Sequence, residues 1–224
     1  MSAAALSPRR FLAVCGITIA MGVGLGELYE YTQGAYHLTP WRAALAAHAV
    51  LGLILLVVRK PTRESLRLAG AGWLAYLPGC LIIAGAVILS RVGSQAPQPF
   101  TISSQSELIY IVCTLTLIPL FEEIVFRSGI SPFLGRFADG WWAVWFSAVV
   151  FSLAHTAPSV ERVLSFSVGL PLGPFFLGIC CDLIVRRWGR LWPAVFFHAC
   201  CNGTVYIFSS LNPSWLAKLG QLYM

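Results

Sequence analysis

The run Leu108-Ile109-Tyr110-Ile111-Val112-Cys113-Thr114-Leu115-Thr116-Leu117-Ile118-Pro119-Leu120 leads directly into Phe121-Glu122-Glu123-Ile124-Val125-Phe126-Arg127. The first part reads as a membrane helix, and the second sets two adjacent carboxylates at its end. An acidic residue at the bilayer centre costs at least roughly 2.5–3.5 kcal/mol, so intramembrane charges face a cavity or a partner. On a helix, Glu123 and Arg127 are four residues apart and can pair. Glu122 points about 100° away and has no partner at that spacing. A structural carboxylate beside a free one suits a hydrolytic site. The plainer alternative is an ion pair plus a glutamate snorkelling to the interface. Pro119 precedes Glu122 by three residues and predicts a kink, which a membrane tolerates where neighbours or water satisfy the freed carbonyl.

Composition agrees with this reading. The 224 residues are 58% apolar and 11% charged, with a mean hydropathy of +0.76, whereas a soluble domain carries roughly 25% charged residues. The expected fold is all-α, a polytopic transmembrane helix bundle forming a single membrane domain over 1–224. The net charge of +6 does not indicate a nucleic-acid surface, because the basic residues sit in short loops between apolar runs. The seven cysteines all fall inside apolar runs without a C-x-x-C pair and read as packing residues. Arg9-Arg10 ahead of a long apolar run reads as a first span that is retained.

Seven candidate spans follow: 11–31, 41–58, 71–90, 107–126, 141–157, 165–185 and 191–211. Their lengths suit a hydrocarbon core, and 128–140 would make an eighth element, interfacial or partly embedded. With the N-terminus inside, eleven Lys and Arg fall on the inner segments and four on the outer ones. The positive-inside rule therefore predicts an N-inside, C-outside chain, expected in a bacterial cytoplasmic (inner) membrane. Gly22 and Gly26 have the small-xxx-small spacing of closely packed helices. Glu27, Tyr29, Glu30 and Tyr31 mark the water interface, with a polar entrance as the alternative, and His48 reads as a buried structural histidine. Residues 93–103 read as an outer covering loop. The sequence Gly169-Leu170-Pro171-Leu172-Gly173-Pro174 predicts a break in the sixth span, with Asp182 and Arg186 as a structural i,i+4 pair.

The polar groups within the spans form a constellation. Glu122 and Glu123 stand on one helix, His155 on a second, and His198 with Asn202, one turn apart, on a third. A glutamate can serve as general base and then acid on a water. A histidine beside it can share that water or protonate a leaving amine. An amide and a second imidazole can donate to the oxyanion of a tetrahedral intermediate. Such a set makes a peptidase without a serine or cysteine nucleophile. Zinc is the competing chemistry, with Glu122, His155 and His198 as three ligands and water as the fourth; the absence of H-E-x-x-H weakens that option.

Three motifs then stand in order: Glu122-Glu123-x-x-x-Arg127, Phe151-x-x-x-His155 and His198-x-x-x-Asn202, the last preceded by Arg190-Leu191-Trp192-Pro193-Ala194-Val195-Phe196-Phe197. Together they resemble the CPBP family of intramembrane endopeptidases, which includes CAAX-processing and bacteriocin-processing proteases. The resemblance covers about residues 107–205 and leaves 1–106 without a recognised motif. It implies Glu122 as catalytic base, Glu123 and Arg127 as its support, and Phe151 as a further supporting residue. It also implies His155 as completing the water-activating pair, and His198 with Asn202 as oxyanion donors. The implied chemistry is glutamate-dependent and metal-free. The implied substrate is a membrane-anchored protein or peptide in the lipid bilayer, cut in CAAX-type processing or in removal of a C-terminal sorting anchor. The rival expectations are a catalytically silent immunity or binding protein on the same scaffold, a zinc-dependent membrane protease using the same residues, and a small transporter with Glu122 and His155 as a proton relay. One tension remains in the span boundaries. Glu122 lies near the inner end of its span, whereas His155 lies about 20 Å along the next helix at 1.5 Å per residue.

Overall fold

The computed structural model describes residues 6–59, 72–92, 102, 104–156, 160–165 and 168–211. These are helical throughout their regular elements, in the all-α bundle expected from composition. In chain order the helices are α1 (Pro8–Tyr36), α2 (Pro40–Arg59), α3 (Leu77–Arg91), α4 (Gln105–Leu134), α5 (Trp141–Thr156), α6 (Val160–Leu164), α7 (Leu172–Trp188) and α8 (Trp192–Leu211). Among the described residues, α1, the 40–58 part of α2, and α4 are long and apolar enough to cross a membrane, while α3 and α5 are shorter apolar helices.

Capping residues set the helix starts. The Ser7 side chain accepts from the backbone N–H of Arg10, with Pro8 in the first turn of α1; the Ser104 side chain accepts from the N–H of Glu107 at the start of α4. Each satisfies a donor that the first helical turn leaves open.

Two interruptions shape α4. The helix breaks at Thr116 (φ −130°, ψ −74°), three residues before Pro119. Pro119 has no N–H to offer Leu115, and its ring crowds that residue's carbonyl, so the predicted distortion falls where proline chemistry requires it. From Ile124 to Ile130 the turns widen to π-helix, closed by Ser131 N–H donating to the carbonyl of Phe126. The helix then continues through Ser131–Leu134. The fourth span therefore does not end at 126, and 128–140 does not form a separate eighth element: 128–134 is the last part of α4. This resolves the depth conflict. Leu134 stands twelve residues after Glu122, roughly 18 Å of helix, and His155 stands fourteen residues after Trp141, roughly 21 Å. The carboxylate and the imidazole are thus counted from the same end of the bundle and meet at similar depth.

The sixth span also differs from expectation. Residues 168–171 are not helical, and α7 begins only at Leu172, with Pro171 as its cap and Pro174 in its first turn. A proline-rich stretch is tolerated at a helix start but not in its interior, so the expected mid-helix break becomes the helix boundary. Ser152 on α5 donates to the Pro171 carbonyl (2.7 Å) and fixes this start. The 60–71 loop, most of 93–103 and the chain end at Met224, on which the topology expectation rests, lie outside the described residues.

Packing closes a ring. Helix α1 contacts α2 and α5, α2 contacts α4, α4 contacts α8, α8 contacts α7, and α7 contacts α5; α3 packs outside this ring, on α8. Close approach depends on small residues. A Cβ at Gly22 would stand 2.9 Å from the Leu153 side chain, so α1 uses its glycine face against α5. A Cβ at Gly178 would stand 3.1 Å from the Ala148 backbone, which sets α7 against α5. Without a hydrophobic force between helices in lipid, such contacts and polar bonds hold the bundle. All seven cysteines are free thiols. Fully buried Cys181 packs between α7 and α8, its S–H directed at the Ala194 carbonyl (3.7 Å), in keeping with a packing role.

Candidate active site

The interior of the ring is polar, and each of its six helices contributes. Glu122, Glu123 and Arg127 come from α4, Ser147 and His155 from α5, Asp182 from α7, and His198 from α8. Tyr29 on α1 and His48 on α2 complete the set. Apart from His155, which is exposed to the cavities described below, all of these are buried.

Glu123 is fully buried, and both of its oxygens are engaged. Oε2 accepts from Arg127 Nε at 2.8 Å, the i,i+4 pair expected from sequence. Oε1 accepts from His198 Nδ1–H at 2.9 Å. Arg127 continues the chain of charges: Nη1 donates to Ser147 Oγ (3.3 Å) and lies 3.9 Å from Asp182 Oδ1. Asp182 Oδ2 accepts from Arg186 Nε at 2.9 Å, as the second predicted pair. Opposite charges therefore alternate from Glu123 out to the half-exposed Arg186. That alternation is what makes buried ions tolerable.

Glu122, one residue earlier, has none of this. Its Oε2 is buried without a hydrogen-bond partner and lies 3.6 Å from His198 Nε2. Its Oε1 lies 3.9 Å from His48 Nδ1. The Glu123 carboxylate accepts the Nδ1–H hydrogen bond of His198, which keeps the proton on that nitrogen. In the neutral ring, Nε2 therefore turns a lone pair toward Glu122; in the doubly protonated ring, Nε2–H becomes a donor there. The two adjacent glutamates are linked through one imidazole, which binds Glu123 and faces Glu122.

Phe151 spaces these groups. It is completely buried, with its ring centroid 4.6 Å from that of His155 and 5.7 Å from that of His198; the Arg127 guanidinium lies 5.6 Å from the same centroid. His155 donates from Nδ1 to the Phe151 carbonyl (2.8 Å), leaving Nε2 as the acceptor of a neutral ring. Its side chain stands between two cavities. One, of about 240 Å³, is lined by Tyr29, Glu30, Gln33, His48, Glu122 and His155. The other, of about 200 Å³, is lined by Tyr110, Thr114, His155, Asn202 and Tyr206. Asn202 belongs to the second: its amide donates to the Thr114 carbonyl at 3.0 Å, beside the break in α4. One N–H and the side-chain oxygen of Asn202 remain for other partners. The structure thus brings Glu122, Glu123, Arg127, Phe151 and His198 into direct contact, places His155 at the junction, and sets Asn202 one cavity away from Glu122.

Sequence reasoning assigned His48 and Tyr29 elsewhere. His48 is buried, as expected, but it lines the cavity of Glu122 instead of lying apart as a purely structural residue. Tyr29 and Glu30 line that same cavity, matching the polar-entrance alternative and not an interface marker alone. A lone mid-span histidine and a Tyr-Glu pair were the available signals, but helix spacing cannot show which lone groups converge.

The donor set for a metal differs from the zinc alternative. Among the described residues, ligand atoms within 4.8 Å of one another belong to Glu123, Cys181 and His198, not to Glu122, His155 and His198. That trio fits a cation poorly. Both Glu123 oxygens already accept hydrogen bonds, one from a guanidinium, and the cationic Arg127 stands beside them.

Compared with curated proteins and with solved structures, the chain finds no match. Residues 104–204, which carry Glu122 through Asn202 and all three motifs, match the family model described as type II CAAX prenyl endopeptidase Rce1-like, in line with the CAAX-protease resemblance of those motifs.

Proposed function

We propose that this membrane protein is a glutamate-dependent intramembrane endopeptidase in which Glu122 activates water against a peptide bond of a membrane-anchored protein. The family of the 104–204 segment, a family of membrane endopeptidases, supports the reaction class. The observation that carries the assignment to Glu122 is the contrast between two neighbouring carboxylates. Glu123 has both oxygens occupied, while Glu122 presents a buried, unpaired Oε2 to His198 across 3.6 Å.

The steps follow from these groups. A water lodged at Glu122 gives one proton to its carboxylate, and the hydroxide oxygen bonds to the scissile carbonyl carbon. The carbonyl π electrons move to oxygen, giving an oxyanion. His198, carrying both ring protons with Glu123 as countercharge at Nδ1, donates from Nε2 to that oxyanion. Asn202 supports it with its remaining N–H, and such donors are commonly worth 10²–10³-fold in rate (about 2.7–4 kcal/mol). The carbon–nitrogen bond then breaks as the proton held by Glu122 passes to the leaving nitrogen, directly or through His155. The products are a carboxylic acid and an amine, and the acid's proton then passes to the amine, leaving a carboxylate and an ammonium group. Arg127, Ser147 and Asp182 keep Glu123, and through it His198, in register. No metal enters this scheme.

Turnover of a prenylated peptide ending in a CAAX tetrapeptide, by purified protein in detergent with and without a chelator, tests the proposal. The expected result is cleavage that the chelator leaves intact and that Glu122→Gln removes. Cleavage retained by Glu122→Gln overturns the assignment. Loss of bound zinc together with activity replaces it with a metalloprotease. A second substrate, a transmembrane-anchored peptide without prenylation, separates CAAX-type processing from removal of a sorting anchor.

A further inference from the structure

The family match begins at residue 104, yet the Glu122 cavity is walled on one side by α1 and α2, which precede it. Two residues of that wall are bonded to each other. Tyr29 O–H donates to His48 Nε2 at 2.7 Å, and His48 Nδ1–H donates to the Ala44 carbonyl at 2.9 Å. Because a carbonyl only accepts, the Nδ1 proton is fixed, and Nε2 of the neutral ring takes the tyrosine proton. Both nitrogens are held, and the ring is packed by Tyr29 (5.3 Å) and Phe126 (6.0 Å). The Nδ1 of this doubly hydrogen-bonded ring lies 3.9 Å from Glu122 Oε1, while Oε2 faces His198. The Glu122 carboxylate therefore lies between two imidazoles, one for each oxygen.

We infer that His48, clamped by Tyr29, is a positioning residue for Glu122, so that the catalytic centre is completed by the two helices that carry no family motif. The inference rests on Glu122 being the base. A histidine serving only as a satisfied core residue would have its nitrogens paired away from the cavity. Here the same N–H that binds Ala44 also borders the carboxylate, in a cavity shared with it. A glutamate side chain has three rotatable bonds, and a base effective at one water must be held in one rotamer. His198 Nε2 stands 3.6 Å from one oxygen, from α8, and His48 Nδ1 3.9 Å from the other, from α2; both lie beyond hydrogen-bond distance, so each ring acts as a wall and a positive edge beside the carboxylate. The charged and titratable groups around His48 are Tyr29 and Glu30 from α1, Glu122 from α4 and His155 from α5, with His198 behind Glu122.

The test uses the full chain in detergent and the prenylated CAAX peptide. His48→Leu is expected to lower kcat by about 10- to 100-fold, the usual effect of removing an outer support, while KM stays within about twofold. His48→Asn, which keeps an N–H near the Nδ1 position, is expected to recover most of that loss, and Tyr29→Phe to lower kcat by a smaller factor. Thermal midpoints report folding in parallel. Full kcat in His48→Leu, equal losses in His48→Leu and His48→Asn, or a change confined to KM each overturns the inference. A second measurement needs neither turnover nor a folded His48 variant. In ¹⁵N-histidine-labelled protein, the His48 Nδ1 resonance is expected to move in Glu122→Gln and the Nε2 resonance in Tyr29→Phe. No response of Nδ1 to Glu122→Gln overturns the inference whatever the activities are. Full turnover by Glu122→Gln would instead remove the base reading beneath it. An inactive Glu122→Gln beside a fully active His48→Leu removes only the role of His48.

Discussion

Glu122 and Glu123 are neighbours in sequence, but they occupy different regions of the molecule. On the Glu123 side the charges alternate: His198, Arg127, Ser147, Asp182 and Arg186 form a continuous series to the surface, with only Arg127 Nη2 left without a hydrogen-bond partner among its described polar atoms. On the Glu122 side there is a cavity of about 240 Å³ with aromatic hydroxyl, imidazole and carboxylate groups in its wall. A helix makes this division possible because adjacent residues point about 100° apart. The difference teaches that the second glutamate is a structural counterion and the first is chemically available. In the proposed mechanism the base therefore depends on its neighbour, since Glu123 holds the histidine that faces Glu122.

Substitutions can break this contrast, and the largest effect is expected at Glu122. Glu122→Gln keeps shape and removes the basic oxygen, so turnover of the CAAX peptide should fall by about 10²–10⁴-fold. Its thermal midpoint in detergent should stay close to that of the unmodified protein. A large loss of stability with modest loss of activity would reverse the roles of the two glutamates.

Next in size is the effect of cutting the charge series. Arg127→Ala leaves Glu123 and Asp182 buried without their shared cation, and breaking such a pair costs about 3–5 kcal/mol. Folded yield and denaturation midpoint should both drop, and activity with them. Arg127→Lys should restore little, because one ammonium cannot reproduce the guanidinium fork that reaches Glu123 and Ser147 together. An abundant, fully active Arg127→Ala protein would mean that the charge series is not needed to organise the Glu122 cavity.

A smaller effect is expected from the helix contact beneath the site. Gly178→Val drives a branched side chain into the backbone of Ala148, 3.1 Å from where its Cβ would stand. Overpacking of this kind costs about 1–3 kcal/mol. Thermal unfolding should report that loss, and activity should fall as α5 shifts and carries His155 with it. Unchanged unfolding would show that α5 and α7 can separate without disturbing the site.

The smallest effect belongs to the outer end of the charge series. The Arg186 side chain is 41% exposed, and ion pairs open to solvent contribute about 0–1 kcal/mol. Arg186→Ala should leave activity and midpoint nearly unchanged. A loss comparable with that of Arg127→Ala would extend the buried network to the surface.

Residue order along the chain was sufficient to find the all-α bundle, the Glu123–Arg127 and Asp182–Arg186 pairs, the distortion near Pro119, and the three polar sets on α4, α5 and α8. These are local properties: apolar runs report the solvent around a helix, i,i+4 spacing reports a shared face, and proline acts on its own backbone. Local spacing could not supply the end of α4. The π-turn from Ile124 to Ile130, closed by Ser131 N–H on the Phe126 carbonyl, has no signature in apolar periodicity. Nor could it show that Glu123, besides pairing with Arg127, binds His198, 75 residues away, or that Asn202 turns its amide to Thr114. Above all, it could not bring His48 and Tyr29 to Glu122. His48 is a lone polar group mid-span in α2 and Tyr29 one of several at the end of α1, and the sequence determines only that a polar group within a span must find a partner in lipid. Which partner it finds depends on the rotation and depth of α1 and α2 against α4, and those are set by side-chain packing across the closed ring.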